Sequence, residues 1–132
     1  MIDNFFIDNV NRIVIIKSLS EIRDELRKTN SFINTTIYCI SRCILQDCIS
    51  FIEKNKLNNT DSIIVKNFYS KYKDTRDVHS HMYASNKVEK TLTLLDITTI
   101  FDELCKQYSI NMIIDSNMHL KNFIKEQLTN ES

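Results

Sequence analysis

Residues 75–83, TRDVHSHMY, hold two of the chain's three histidines, His79 and His81, with Arg76 before them and Tyr83 after them. An imidazole exchanges its proton near neutral pH and can serve as general acid or base. A guanidinium grips a phosphate through paired donors and offsets charge growing on its oxygens. On one continuous helix, however, Arg76 and His81 stand five residues apart, about 140° around the axis. Arg76, His79, Ser80 and Tyr83 would share a face instead. Either the helix breaks within the segment, or a site using both Arg76 and His81 draws on two chains.

What the sequence lacks narrows the chemistry. There is no glycine and no proline among the 132 residues. Phosphate-cradling P-loops, dinucleotide fingerprints and nucleophile elbows all need backbone freedom that glycine supplies. Turns must rely on Asn, Asp and Ser. Four cysteines form no C-x2-C pair, so no metal site is expected and no cofactor is implied. Cys39, Cys43 and Cys48 share one expected helix, where neighbouring thiols bridge poorly. They read, with Cys105, as buried or half-buried thiols in a reducing compartment. Net charge is zero, so any nucleic-acid contact must come from a local patch. Lys66, Lys71, Lys73 and Arg76, against Asp74 alone, form one. No apolar run approaches the ~18 residues of a membrane span. The short run at residues 13–16 follows Asp3 and Asp8 and does not read as a secretory signal, so the expectation is a cytoplasmic protein without membrane contact.

The elements that must position the segment read as helices. A first helix is expected over residues 4–28, with Ser18 and Glu21 spaced as a capping box that could mark a kink. The competing reading is a strand over 12–17, where β-branched residues cluster. Ile33, Ile37, Ile40, Ile44, Cys48 and Phe51 recur at helical spacing and define a second helix. After the polar stretch 54–60, Thr60 or Asp61 would cap a third, carrying Ile64, Phe68 and Tyr72. Ser85 or Asn86 would cap a fourth, with Val88, Leu92, Leu95, Phe101, Leu104 and Tyr108. Residues 109–115 break the pattern and suit a strand or a docked loop. Ser116 would then cap a last helix through Leu120, Ile124 and Leu128. With no repeat or linker, residues 1–132 read as one all-α domain, an up-and-down bundle of four to five helices; pairing of the two β-like runs would make it α+β instead.

The segment Arg76-Asp77-Val78-His79-Ser80-His81-Met82-Tyr83 resembles the R-x4-H signature, followed by x-Y, of the HEPN superfamily. It is particularly similar to small HepT-type toxins and their nucleotidyltransferase-partner relatives, which often read R-[N/D]-x-x-S-H-x-Y. The resemblance covers these eight residues and the general helical layout. It implies a helical bundle and metal-independent RNA cleavage, in which a 2′-hydroxyl attacks the adjacent phosphodiester. In that scheme His81 moves the proton and Arg76 holds the phosphate. Asp77 orients Arg76 or His81, while Ser80, His79 and Lys73 contact substrate. Tyr83 would be the residue that a nucleotidyltransferase antitoxin modifies. The family's usual homodimer, with motifs facing across a cleft, would bring one chain's arginine to the other's histidine.

Other readings fit the same residues. Arg76 and His81 could be solvated groups at a helix end, and Tyr83 a half-buried core tyrosine. His119 reads as a surface residue, and the pairs Phe5/Phe6 and Phe68/Tyr69 as packing rather than base-stacking platforms. The chain could then be a catalytically silent helical module that docks a nucleotidyltransferase or another partner. It could also be an unrelated interaction protein, such as a viral host-factor binder, whose surface should present an apolar groove between helices.

Overall fold

The apolar stripe from Ile33 to Phe51 becomes the buried face of α2 (Ser31–Lys54). In the computed structural model, which describes residues 2–26, 31–59, 61–80 and 89–130, it packs against α1 (Ile2–Leu26). α1 runs unbroken through residues 12–17. Ile13, Ile16, Leu19 and Ile22 all bury on it at helical spacing, and that shared burial outweighs the local β-branched preference. Ser18 is no helix start. It lies mid-helix and buried, its hydroxyl donating to the Val14 carbonyl at 2.8 Å while accepting the Asn117 N–H at 2.8 Å.

Three further helices follow: α3 (Ile63–Ser80), α4 (Leu94–Gln107) and α5 (Met118–Asn130). A short 3-10 turn, Leu57–Asn59, links α2 to α3. The caps differ from those expected. Ser62 starts α3, its hydroxyl accepting the Val65 N–H at 3.3 Å. Thr93 starts α4, accepting from the Asp96 N–H at 3.1 Å. Asn117 starts α5, accepting from the Leu120 N–H at 3.0 Å. Each caps because its side chain reaches one of the donors that a helix leaves unpaired at its first turn. The expected caps Thr60, Ser85 and Asn86 lie outside the described residues.

Polar contacts fix the helix directions. Asp47 near the end of α2 accepts from Asn9 and Arg12 near the start of α1, so the two run antiparallel. Arg42 reaches the His79 carbonyl and Gln46 the Arg76 carbonyl, while Glu53 reaches Tyr69, so α3 runs antiparallel to α2. Tyr72 and Lys71 bond Asp96, and α4 closes back on α1. The four helices thus form an up-and-down ring. Its interior holds Phe6, Ile49, Phe101, Leu104 and Tyr72, all fully buried. Each such apolar side chain contributes about 1.5–3 kcal/mol by leaving water. At one end Phe5 stacks on Phe51 at 4.1 Å, with Phe6, Phe101 and Tyr108 around them.

Without glycine, α4 still ends in a left-handed residue. Ser109 takes φ 53°, its N–H bonding Lys106 O and the Ile110 N–H bonding Cys105 O, the Schellman arrangement. Lys56, at φ 57° just after α2, is the other left-handed residue among those described. The chain after Ser109 forms no strand. It docks as an extended segment, with Ile110, Met112 and Ile114 against the core and Ile113 fully out. α5 then lies parallel to the second half of α1, placing Ile124 and Leu128 on a second cluster of Leu19, Ile22 and Ile33. Lys121 bonds Glu21 and Glu25 there, and Lys125 pairs with Glu25.

Candidate functional site

The sequence motif begins inside α3, which continues without a break to Ser80. Arg76 is turned toward α2. Its guanidinium makes two bonds to Glu53, at 2.8 and 3.1 Å, and a third from Nε to Asp77 at 2.8 Å. Only 16% of its side chain is exposed. The pairing with Arg76 holds the Glu53 carboxyl below its ordinary range, and Glu53 in turn raises the arginine. Tyr69 donates its hydroxyl to the same carboxylate at 2.8 Å, and burial together with that bond pushes its phenol up. Three donors of Arg76 therefore already face two carboxylates. In this arrangement the guanidinium ties α2 to α3, with three of its five donors engaged within the fold.

Asp77 accepts from Arg76 Nε within the same helix. Lys73 lies on the same side, its ammonium 5.8 Å from the centre of the Tyr69 ring. The basic patch read from the sequence is divided up. Lys71 pairs with Asp96 at 2.8 Å, Arg76 with Glu53 and Asp77, and Lys73 covers an aromatic face. Asp96 also accepts the Tyr72 hydroxyl, and the bonds from Lys71 and Tyr72 keep its carboxyl low. Ser80 is the last residue of α3, and its side chain, with all of His81 and Tyr83, lies outside the described residues.

His79 occupies a different setting one turn beyond Arg76. Its Nε2 meets Glu89 Oε1 at 2.8 Å, and its side chain is 6% exposed. Tyr38, on α2, donates to the same carboxylate oxygen at 2.7 Å and stands edge-on to the imidazole, 6.3 Å between ring centres. The bonds from His79 and Tyr38 lower the Glu89 carboxyl, and the bond to Glu89 raises the Tyr38 phenol. His79 Nδ1 is buried and has no hydrogen-bond partner among the described residues. Arg42, one turn along α2 from Tyr38, lies 5.7 Å over its ring and donates to the His79 carbonyl at 3.3 Å. The stretch 89–92 leading into α4 is anchored by the Lys90 N–H on buried Thr75 at 2.8 Å and by Tyr72 on the Thr91 carbonyl. These groups enclose a pocket of about 190 Å³, which Arg23 and Lys90 also line.

Sequence reasoning found His79 but not its surroundings. Tyr38 and Arg42 are spaced i, i+4 on α2, a same-face pattern, yet nothing in the sequence placed that face beside residue 79. Glu53 was missed for the same reason. Two cysteines also depart from expectation, since Cys39 and Cys43 are exposed while Cys48 and Cys105 are buried. Burial drives the Cys48 thiol well above its ordinary value, leaving it a packing group. Among the described residues, no cluster of three His, Cys, Asp or Glu is placed to hold a metal, and no helix is long and apolar enough to cross a membrane.

No protein-family model, curated protein or solved structure matches the chain. The HEPN resemblance therefore stands on the motif and the helical layout alone.

Proposed function

We propose that this chain is a non-catalytic helical docking module, whose groove between the start of α2 and α5 receives an amphipathic helix of a protein partner. One observation carries the reading. Phe32 and Phe123 are 61% and 60% exposed and flank a groove floored by Ile124 and Leu128. Two bulky aromatics held open beside a ready apolar floor are costly on an isolated bundle and suit a surface that a partner covers. The groove, of about 200 Å³, has room for one or two anchoring side chains, the usual core of such an interface. The engagement of Arg76 by Glu53 and Asp77 supports the absence of catalysis at the motif.

The test uses a photo-crosslinking residue in place of Gln127, which lines the groove, in cells producing the full chain. A discrete adduct with another protein is expected, lost when Phe32 and Phe123 are both changed to Ser. No adduct, or one indifferent to the two serines, removes the proposal. An adduct to a second copy of the chain would replace the heterologous partner with a homodimer.

A second reading remains on one observation, the eight-residue motif. In it the chain is a metal-independent endoribonuclease, toxin or defence effector. A homodimer would join Arg76 of one subunit to His81 of the other, and a nucleotidyltransferase antitoxin would act on Tyr83. It requires Arg76 to leave Glu53 and Asp77. Degradation of RNA by chelator-treated chain, abolished by His81→Ala, would establish it over the docking reading.

A further inference from the structure

The pocket beside His79 differs from the rest of the surface in its balance of charge. Arg23, Arg42 and Lys90 line it with His79, against the single carboxylate of Glu89. Glu89 is already engaged by His79 and Tyr38. Among the described residues Arg23 pairs with its neighbour Asp24, at 3.9 Å and in solvent. Arg42, by contrast with Arg76, meets no carboxylate in ion-pair range among the described residues; it has a carbonyl and an aromatic face. An arginine fork left without a carboxylate, inside a concave site with two further cations, favours an anion of more than one charge.

A second, independent observation lies at His79. Its Nδ1 is buried without a partner among the described residues, and its Nε2 is committed to Glu89. Buried polar atoms are nearly always paired, and an orphan calls for a missing partner. With the ring protonated, Nδ1–H becomes a donor that an anionic oxygen would satisfy. Ile37, Leu45 and Leu92 add apolar wall beside the polar Asn34, Ser41 and Thr91. The occupant therefore needs an anionic end and an apolar body. At about 190 Å³ the pocket falls below the ~300–1,000 Å³ of drug-sized ligand sites, which limits the body to a small group.

We propose that this pocket binds a small phosphomonoester, its phosphate held by Arg42 and His79 and its apolar substituent lying on Ile37 and Leu92. A phosphomonoester carries about −1.5 to −2 charges at neutral pH, which matches a site with three fixed cations and one carboxylate. The site uses neither Arg76 nor the α2–α5 groove, so it stands or falls apart from the docking reading.

The experiment titrates phenyl phosphate into the full chain and follows the His79 imidazole and Arg42 Nε–H signals by NMR. Saturable shifts at both are expected, with inorganic phosphate binding more weakly because it leaves the apolar walls uncovered. Arg42→Gln should weaken binding by about tenfold or more, the loss of a charge-assisted pair, with an unchanged unfolding midpoint. Should that variant lose its fold, Lys90→Gln on the exposed rim supplies the same comparison with a smaller, severalfold loss. Absence of saturable shifts up to about 10 mM ligand, beyond the weakest affinities of interest, overturns the proposal. So does binding that ignores both substitutions, or inorganic phosphate binding as tightly as phenyl phosphate.

Discussion

Arg76 and His79 stand one turn apart on the same helix, yet they live under opposite conditions. Arg76 is met by two carboxylates, with three of its donors engaged, and one of those carboxylates also accepts from Tyr69. Among the described residues, His79 has one nitrogen paired and the other buried with nothing to bond. Among the same residues its companion Arg42 lacks a carboxylate where Arg76 has two. The difference teaches that residue type alone does not locate chemistry. A guanidinium satisfied by the fold stabilises the fold, whereas an unsatisfied group in a concave site is where a ligand can add something.

Mutations can break or sharpen that contrast. The largest effect is expected from Glu53→Ala, which leaves a mostly buried guanidinium with Asp77 alone. It should lower stability by about 2–3 kcal/mol, the scale of charged hydrogen bonds lost from a partly buried group, measured by urea unfolding. Arg42→Gln should change stability by no more than about 0.5 kcal/mol. Equal losses at the two sites would erase the distinction between clamp and pocket.

A somewhat smaller loss is expected from Tyr72→Phe. The hydroxyl it removes bonds Asp96 from within the core, and the change should cost about 1–1.5 kcal/mol, leaving the Arg42 and His79 signals in place. Large shifts of those signals would mean that the pocket depends on the α3–α4 contact and is not a separate unit.

Acid should distinguish the regions next. The Glu53 carboxyl is held low in the folded chain, chiefly by Arg76. A depressed folded value means that the unfolded chain binds the proton first. The stabilisation is therefore complete above the ordinary value of 4.5 and fades as pH falls below it through the folded value. Unfolding curves between pH 7 and 3 should show this loss, and Glu53→Gln should flatten the slope. An unaltered slope in the variant would assign the acid sensitivity to Asp96 and Glu89, which are lowered too. The smallest effect belongs to Lys73→Ala, within about 0.5 kcal/mol, since its ammonium only covers the Tyr69 ring.

The sequence made the helices legible where one face is buried along its whole length. Ile33 to Phe51 marks α2 because every third or fourth residue meets the core. The start of α4 was misread because Leu92 continues the helical spacing backward. The stronger signal was Thr93 followed by Asp96, a cap whose hydroxyl reaches the Asp96 N–H. In residues 109–115 alternation alone does not separate a strand from a docked loop, because it carries no sign of a partner strand; Ile110, Met112 and Ile114 pack against the helical core instead. The site was less legible. Arg76 and Glu53 are separated by a turn and most of a helix, and Tyr38 meets Glu89 across a still longer stretch. Such pairings arise from the antiparallel register of α2 and α3, which no local spacing encodes.

The central claim, that Arg76 acts as an interhelical clamp, is tested most directly by a double-mutant cycle joining Glu53→Gln and Arg76→Met, with stability measured by urea unfolding at neutral pH. A coupling of about 1.5 kcal/mol or more is predicted, within the range of residues in one ion-pair network. A coupling near zero would contradict the clamp and return Arg76 to the list of groups free to meet a ligand.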